Sequence, residues 1–375
     1  MNIKKIILNP KSHIVFLMLL IIIVALFWQP QHFDDGSNYQ RFAEKIVDEG
    51  RIDLSIQGFH GSDWIIAIVY FITGWQYSAY LVDLLAAILV VLLVYLVVKE
   101  LYGKEFLAVV ASYIYTLMAF DIFNFIRGGH LPLHFLTALL ALYLLLKNKN
   151  YSWIVLGISY ITRPFSVTLA PFYIYKKKYK QLLLSFIFPL VYVTAQYMQA
   201  GQVIIGQHPD LTAQKLFDLK RFFLNIIYAI QNYFSVHNFS PVNPLYPSDL
   251  IHISPIITVL AVIGVLYYKK YFASKKLFYT FVAFALFSFL LPASFFWMDI
   301  HYFAMFNFAL IFLALPVISD YKRLIPIIAF TSSYQYFYLY LTYQEFFSFA
   351  YIVFIIPLSI LIVSLLYVYY QRQKL

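Results

Sequence analysis

The sequence predicts an all-α polytopic membrane protein, and three observations carry the prediction. Of its 375 residues 62% are hydrophobic and only 12% are charged, and the mean hydropathy is +0.76. A soluble domain has roughly 45–50% apolar and about 25% charged residues. Aromatic residues make up 21% of the chain, a share that suits lipid-facing surfaces and interfacial belts. The chain has no cysteine, which excludes a disulfide framework and a zinc–thiolate site.

The net charge of +10 is explained by topology. Most of the 27 Lys and Arg residues fall in short loops on one side of the apolar stretches, whereas acidic residues cluster between Asp34 and Asp63 on the other side. Short basic loops mark the cytoplasmic face of a membrane protein. We therefore expect a multi-pass protein of the plasma (cytoplasmic) membrane with both termini in the cytoplasm, and no nucleic-acid partner.

Apolar stretches long enough to cross a bilayer recur along the whole chain. A spanning helix needs about 20 apolar residues, and tilt accommodates somewhat shorter ones. The candidate spans are 13–29, 77–98, 106–122, 131–146, 181–199, 253–268, 277–292, 303–318, 324–342 and 347–369. With the hairpin described next they predict about 10–12 transmembrane helices. We expect these helices to form a single domain over residues 1–375, without a separate soluble domain.

Residues 151–175 form a stretch that enters and leaves the membrane on the same side, because basic loops flank it at 147–149 and 176–180. Arg163 and Pro164 stand in its middle. The residue before a proline is pushed out of the helical region. Irregular backbone at membrane depth is tolerated only where it lines protein or a watery cavity. The pattern therefore predicts two half-length helices joined at this dipeptide.

The first long external loop, residues 30–76, contains an amphipathic helix over 39–48. Apolar residues recur there at helical spacing. Ser37 and Gln40 have the spacing of a capping box at its start, and Gly50 follows its end. We expect this helix to lie along the membrane interface.

Two further segments fit the same interfacial pattern. Residues 63–74 of the first loop are apolar but too short to cross a bilayer. The second long external loop, residues 200–252, contains an amphipathic stretch at 219–234. Together the three segments predict a platform of interfacial helices beside the spans.

Adjacent carboxylates, Asp34 and Asp35, stand where the first predicted span emerges. Such a dyad has the chemistry of a general base or of a cation ligand. In the alternative interpretation, Asp35 only stabilises the positive N-terminal end of the helix that follows.

Several features occur in the order and on the membrane side found in one known superfamily. They are Asp35-x-x-x-Tyr39-x-x-x-Ala43 followed by Gly50, the span and basic exit at Leu81–Gly103, the break at Thr162-Arg163-Pro164, and the span start His301-Tyr302-Phe303. Together they resemble the GT-C superfamily of polyprenyl-phosphate-sugar-dependent glycosyltransferases, such as protein O-mannosyltransferases and lipid A aminoarabinose transferases. The chain has Asp-Asp where many relatives have Asp-Glu, Arg127-Gly128-Gly129-His130 in place of Arg-x-x-Asp, and His301 in place of Arg.

The resemblance implies an integral-membrane, inverting glycosyltransferase with its active site on the external face. Asp35 would be the general base, assisted by Asp34, and Arg127 and Arg163 would bind the donor phosphate, since a guanidinium is permanently charged and bidentate. Further substrate-binding candidates are Tyr39, His130, His301, Tyr302 and Asp83. The implied partners are a polyprenyl-phosphate-linked sugar, an acceptor protein, lipid or glycan, and the bilayer.

Alternatives remain at several of these positions. In the alternative interpretation, Arg127 and Arg163 form structural ion pairs with Asp83 or Asp121. No cofactor is required by the reaction, and a divalent cation on the aspartate dyad stays open. His130 and His134 have an i, i+4 ligand spacing but no third ligand in the sequence, so no metal site is predicted. A lipid-linked saccharide flippase or transporter, and a polysaccharide polymerase or ligase, are the competing functions.

Overall fold

In the computed structural model every element within the described residues is a helix. The structure describes residues 9–26, 34–52, 54, 61–118, 131–201, 203, 219–234, 253–294 and 303–332, and of residues 34–36 and 232 it describes the backbone alone. The α-helices are α1 Pro10–Leu26, α2 Asp34–Glu49, α3 Gly61–Thr73, α4 Ser78–Tyr102, α5 Glu105–Thr116, α6 Leu131–Leu146, α7 Ser152–Thr162, α8 Ala170–Tyr175, α9 Tyr179–Ser185, α10 Ile187–Ala200, α11 Leu219–Phe234, α12 Pro255–Leu266, α13 Tyr268–Tyr271, α14 Lys275–Ala293 and α15 Ala304–Asp320. A last helical segment, α16 Lys322–Ser332, begins as the 3-10 helix Lys322–Leu324 and continues as an α-helix. These elements confirm the all-α polytopic membrane class.

Each predicted span overlaps a helix where its residues are described; of the spans 13–29, 106–122 and 324–342 only a part is described, and 181–199 comprises two helices. Within the described residues, α4, the combined segment α9–α10 and α14 are long and apolar enough to cross a bilayer, and α15 and α16 pass that test as a pair bent by 114°. Six further apolar helices in the described part of the chain have 10–17 residues. The predicted span 347–369 lies outside the described residues.

The longest of the described helices, α4, has no separate polar face, as expected of a helix inside a membrane bundle. It packs against α1, α5 and α6. The helix ends at Gly103, whose φ of +66° is a conformation that favours glycine, and the Gly103 N–H donates to the Lys99 carbonyl at 2.8 Å.

A second packed region is formed by α12, α14 and α15. Its core combines aliphatic side chains with several aromatic rings; for example, the centroids of Phe281 and Phe312 are 5.6 Å apart. At Gly264 of α12 an added Cβ would lie 2.4 Å from the Leu313 carbonyl oxygen of α15. A small residue therefore allows these two backbones to approach closely, as is common between membrane helices.

The predicted break within 151–175 is confirmed. Helix α7 ends at Thr162, Arg163 is extended with φ −154° and ψ 132°, and a 3-10 helix, Pro164–Leu169, connects to α8. The proline sits at the start of this second segment, where its missing N–H costs no hydrogen bond.

The helices predicted in the first long loop are present, but the predicted capping box is wrong. Helix α2 begins at Asp34, before Ser37, and ends ahead of Gly50, whose φ is +63°. The Gln40 side chain is buried; it donates to Glu44 at 2.9 Å and accepts from the Ala79 N–H of α4 at 3.0 Å. Gln40 therefore joins two helices and does not cap its own.

The amphipathic segment of the second long loop forms α11, as predicted. Asn225 donates to the Ala293 carbonyl at 2.9 Å, and the Tyr233 hydroxyl donates to Asn307 Oδ1 at 2.9 Å. On the opposite side Phe223 and Ile227 are exposed. Thus α11 binds the ends of α14 and α15 with one face and presents an apolar face outward, which suits a helix at a membrane interface.

Candidate functional site

Helices α2 and α3 cover one end of the bundle, which we call the platform end. It comprises the start of α4, the start of α6 and the end of α7. The side chains of α2 and α3 pack there in one apolar cluster with α4 and α6; its buried members are Tyr39, Ala43, Ile66, Ala67, Ala79, Val82, Ala86 and Leu133.

The predicted general base belongs to the first turn of α2. Asp34 and Asp35 are the first two residues of this helix, and their side chains lie outside the described part of the structure. Tyr39, one turn further on, is only 2% exposed and anchors the helix in the platform-end cluster. The backbone of the dyad is therefore fixed relative to α4 and α6. A substrate contact for Tyr39 stays a prediction.

The first turn of α3 lies against the break after α7. An added Cβ on Gly61 would be 2.9 Å from the carbonyl carbon of Ile161 and from the Thr162 nitrogen, so only a glycine allows this approach. The next residues, Ser62 and Asp63, are completely buried. The interfacial helix α3 thus contacts the backbone that immediately precedes Arg163.

Arg163 is buried, with 6% of its surface exposed. A buried guanidinium is costly unless its surroundings are polar. Polar side chains do surround the break. The Ser166 hydroxyl oxygen is 3.3 Å from Nδ1 of His134 and 2.5 Å from the Ser159 hydroxyl oxygen. The Thr137 hydroxyl oxygen is 3.0 Å from that of Ser159. His134 is within electrostatic reach of Arg163. We call His134, Thr137, Ser159 and Ser166 the hydroxyl–imidazole chain.

The hydroxyl–imidazole chain holds the break to α6 on both sides. Ser159 comes before the break and Ser166 after it, and both bond to residues of α6, directly or through one another. Arg163 lies between them in sequence. The backbone that carries the guanidinium is therefore held from both sides, as a phosphate-binding arginine requires.

Asp83 lies on α4 at the platform end and is 2% exposed. Its sequence neighbour Val82 belongs to the platform-end cluster. The structure thus brings Asp83, Tyr39 and Arg163 to the same end of the bundle. An ion pair between Asp83 and Arg163 stays a prediction.

The remaining predicted site residues, Arg127, His130, His301 and Tyr302, lie outside the described residues. Across the ranges that are described, no group of three His, Asp or Glu side chains is arranged to hold a metal ion.

Sequence reasoning missed Asp63 and the hydroxyl–imidazole chain. Asp63 was counted only as one acid of an acidic loop, although a carboxylate in the first turn of an otherwise apolar helix is itself a signal. Ser159 lies four residues before Arg163 and Ser166 lies two residues after Pro164. Nothing in the sequence indicates that these two serines are close to His134.

Comparison with known proteins gives a likeness in structure. No protein-family model and no curated protein sequence matches the chain. The crystal structure of the Archaeoglobus fulgidus oligosaccharyltransferase in the apo form superposes with a TM-score of 0.51 at 10% identity, covering 95% of this chain and 55% of that chain. The chain thus spans about half the length of this neighbour. The likeness shows a shared fold.

Proposed function

We propose that the protein is an integral-membrane glycosyltransferase that moves a sugar from a polyprenyl-phosphate donor to an acceptor hydroxyl at the external face of the plasma membrane. The observation that carries the proposal is the platform end. There the helix that begins with Asp34-Asp35 and the buried Arg163 are both packed against α6 and its neighbours. The fold shared with an oligosaccharyltransferase supports the same class of reaction.

The roles follow from the reaction. The acceptor hydroxyl oxygen attacks the anomeric carbon from the face opposite the phosphate, so the new C–O bond forms as the old one breaks and the configuration inverts. Asp35 takes the hydroxyl proton, with Asp34 as its assistant. The electron pair of the broken bond leaves with the polyprenyl phosphate. Arg163 and Arg127 neutralise the charge that develops there.

Several parts of the proposal concern partners. The acceptor is a protein, a lipid or a glycan, recognised by the external helices. Tyr39, His130, His301, Tyr302 and Asp83 are the further substrate-contact candidates. No step of the mechanism is assigned to a metal ion.

The test is sugar transfer from a radiolabelled polyprenyl-phosphate sugar by the purified protein in liposomes. Asp35→Asn is expected to lower the rate by about 100-fold to 10,000-fold, the range for loss of a general base. Asp48→Asn, an exposed acid at the other end of α2, is the matched control and should retain wild-type activity. Unchanged transfer by Asp35→Asn, with equal protein in the membrane, would reject the mechanism.

The competing functions predict different outcomes in the same liposomes. A flippase would move the donor lipid between leaflets without consuming it. A polymerase or ligase would require a polyprenyl pyrophosphate donor and would not use the monophosphate. Either result would contradict the proposed function.

A further inference from the structure

His134 is the fourth residue of α6 and is only 1% exposed. Its Nδ1 atom lies 3.3 Å from the Ser166 hydroxyl, whereas its Nε2 atom is buried without a hydrogen-bond partner in the part of the chain that the structure describes. Buried polar atoms in native proteins nearly always have a partner, so an unsatisfied one calls for an explanation. The neighbouring Leu133 belongs to the platform-end cluster, and the ring is therefore at the end where the proposed chemistry occurs.

We propose that Nε2 of His134 donates a hydrogen bond to the phosphate of a polyprenyl monophosphate, next to the charge of Arg163. This inference rests on the proposed function and adds a phosphate-binding residue that the resemblance did not imply. The ligand class is a lipid phosphate monoester.

One assignment of hydrogens along the hydroxyl–imidazole chain makes Nε2 a donor, and this is the assignment that an anionic partner favours. The Thr137 hydroxyl has one proton and three acceptors at 3.0 Å: the Ser159 hydroxyl and the carbonyl oxygens of Leu133 and His134. When the proton points to Ser159, Ser159 donates to Ser166, and Ser166 donates to Nδ1 of His134. A neutral imidazole that accepts at one nitrogen carries its proton on the other. With this assignment of hydrogens the ring proton is on Nε2.

The positive charge of Arg163 indicates that the missing hydrogen-bond partner of His134 Nε2 is an anion. His134 is within electrostatic reach of Arg163, whose guanidinium is permanently positive and buried. An N–H donor within electrostatic reach of a buried cation is complementary to an anionic oxygen, and phosphate is an anion that accepts from both kinds of donor. A lipid supplies that anion at membrane depth, where a free phosphate would first have to lose its hydration.

The test measures binding of polyprenyl monophosphate to the full-length protein in nanodiscs, by titration and by the ³¹P NMR shift of the bound phosphate. His134→Asn keeps an amide near Nδ1 but removes Nε2, and should weaken binding by about tenfold or more, as expected for a hydrogen bond to a charged group. His134→Gln places an amide near Nε2 and should bind close to wild type. Thr258→Val is the matched control, since Thr258 Oγ1 of α12 is also buried without a hydrogen bond among the described residues.

Polyprenol, which lacks the phosphate, should bind the wild-type protein and His134→Asn equally. The inference is overturned if His134→Asn binds polyprenyl phosphate as well as wild type does. It is also overturned if both histidine variants lose binding together with thermal stability, because that pattern indicates a structural role. Inorganic phosphate that binds as tightly as the lipid would reject the assignment to a lipid. Binding requires no sugar transfer, so a protein that binds the lipid but transfers nothing would contradict only the proposed function.

Discussion

The break around Arg163 and the α12–α15 contact are both deeply buried, but they are built from opposite kinds of side chain. Around the break, His134, Ser159 and Ser166 bury hydroxyl and imidazole groups that are bonded to one another. Where α12 and α15 meet at Gly264, the contact is formed by the glycine, the backbone of Leu313 and the apolar side chain of Val317.

This difference in side chains indicates that the break serves activity and that the α12–α15 contact serves stability. Lipid tails are as apolar as the side chains of the α12–α15 contact, so close packing is what holds those helices together. Buried polar groups add little net stability, and they are costly wherever one of them is left unsatisfied. A polar cluster in such a place is therefore a candidate for chemistry. Substitutions at the break should change activity, and substitutions at the α12–α15 contact should change stability.

The largest effect is expected at Arg163. Arg163→Gln should lower kcat/KM for the polyprenyl-phosphate donor by about 100-fold or more, because a fixed cation that stabilises the developing phosphate charge is lost. Arg163→Lys should recover only part of the activity, since an ammonium lacks the planar pair of donors. Rates are measured with the radiolabelled donor in liposomes.

Arg221→Gln on α11 is the matched control for Arg163, because it removes the same charge from a half-buried position outside the break. It should leave kcat/KM unchanged. If Arg163→Gln lost stability to the same extent as activity, the break would be a structural element and the comparison between the two regions would fail.

A smaller effect, and on a different quantity, is expected at Gly264. Gly264→Val should destabilise the protein by about 1–3 kcal/mol, because its Cβ would meet the Leu313 carbonyl oxygen and force α12 away from α15. The activity per folded molecule should not change. Thermal unfolding in detergent measures the stability, and Val262→Leu, a half-exposed position on the same helix, should unfold like wild type. A Gly264→Val protein that stays fully stable but is inactive would reverse the assignment of roles.

Features of the fold that depend on local backbone effects could be predicted from the sequence, whereas features that depend on contacts between helices could not. The break at Arg163 was predictable because proline acts on its immediate neighbour, a purely local effect. Similarly, Gly50 marks the end of α2 by its own backbone conformation. The capping box at Ser37 failed because Gln40 forms tertiary bonds to α4, which local pattern does not encode.

The candidate site likewise contains residues that could be predicted from the sequence and contacts that could not. Asp35 and Arg163 stand out because charged residues are rare in so apolar a chain. By contrast, the bond between Ser166 and His134 joins residues 32 positions apart, and the approach of Gly61 to Ile161 joins two separate helices. Contacts of this kind depend on how the helices pack, so neither spacing nor composition identifies them.

The smallest effect is expected at a polar contact that belongs to neither region. Nζ of Lys147, on the loop after α6, is 2.5 Å from Oε1 of Glu100. The hydrogen bond to this carboxylate raises the pKa of Lys147 above its usual 10.5. A raised lysine pKa stabilises the fold fully below the usual value, and the contribution is lost as the pH rises through the raised one. Because the pair is exposed to solvent and screened, Lys147→Met should change the melting temperature by less than about 1 °C at 0.15 M salt.

The pH dependence distinguishes this weak surface pair from a buried one. Melting curves of wild type and Lys147→Met should differ slightly at neutral pH and converge at pH values above 10.5, where wild-type Lys147 loses its proton. Lys149→Met, an exposed position on the same loop, is the matched control and should show no such convergence. A large loss of stability or of sugar transfer in Lys147→Met would mean that polar contacts matter as much at the surface as at the break. The contrast between buried polar groups and the rest of the molecule would then no longer identify the site.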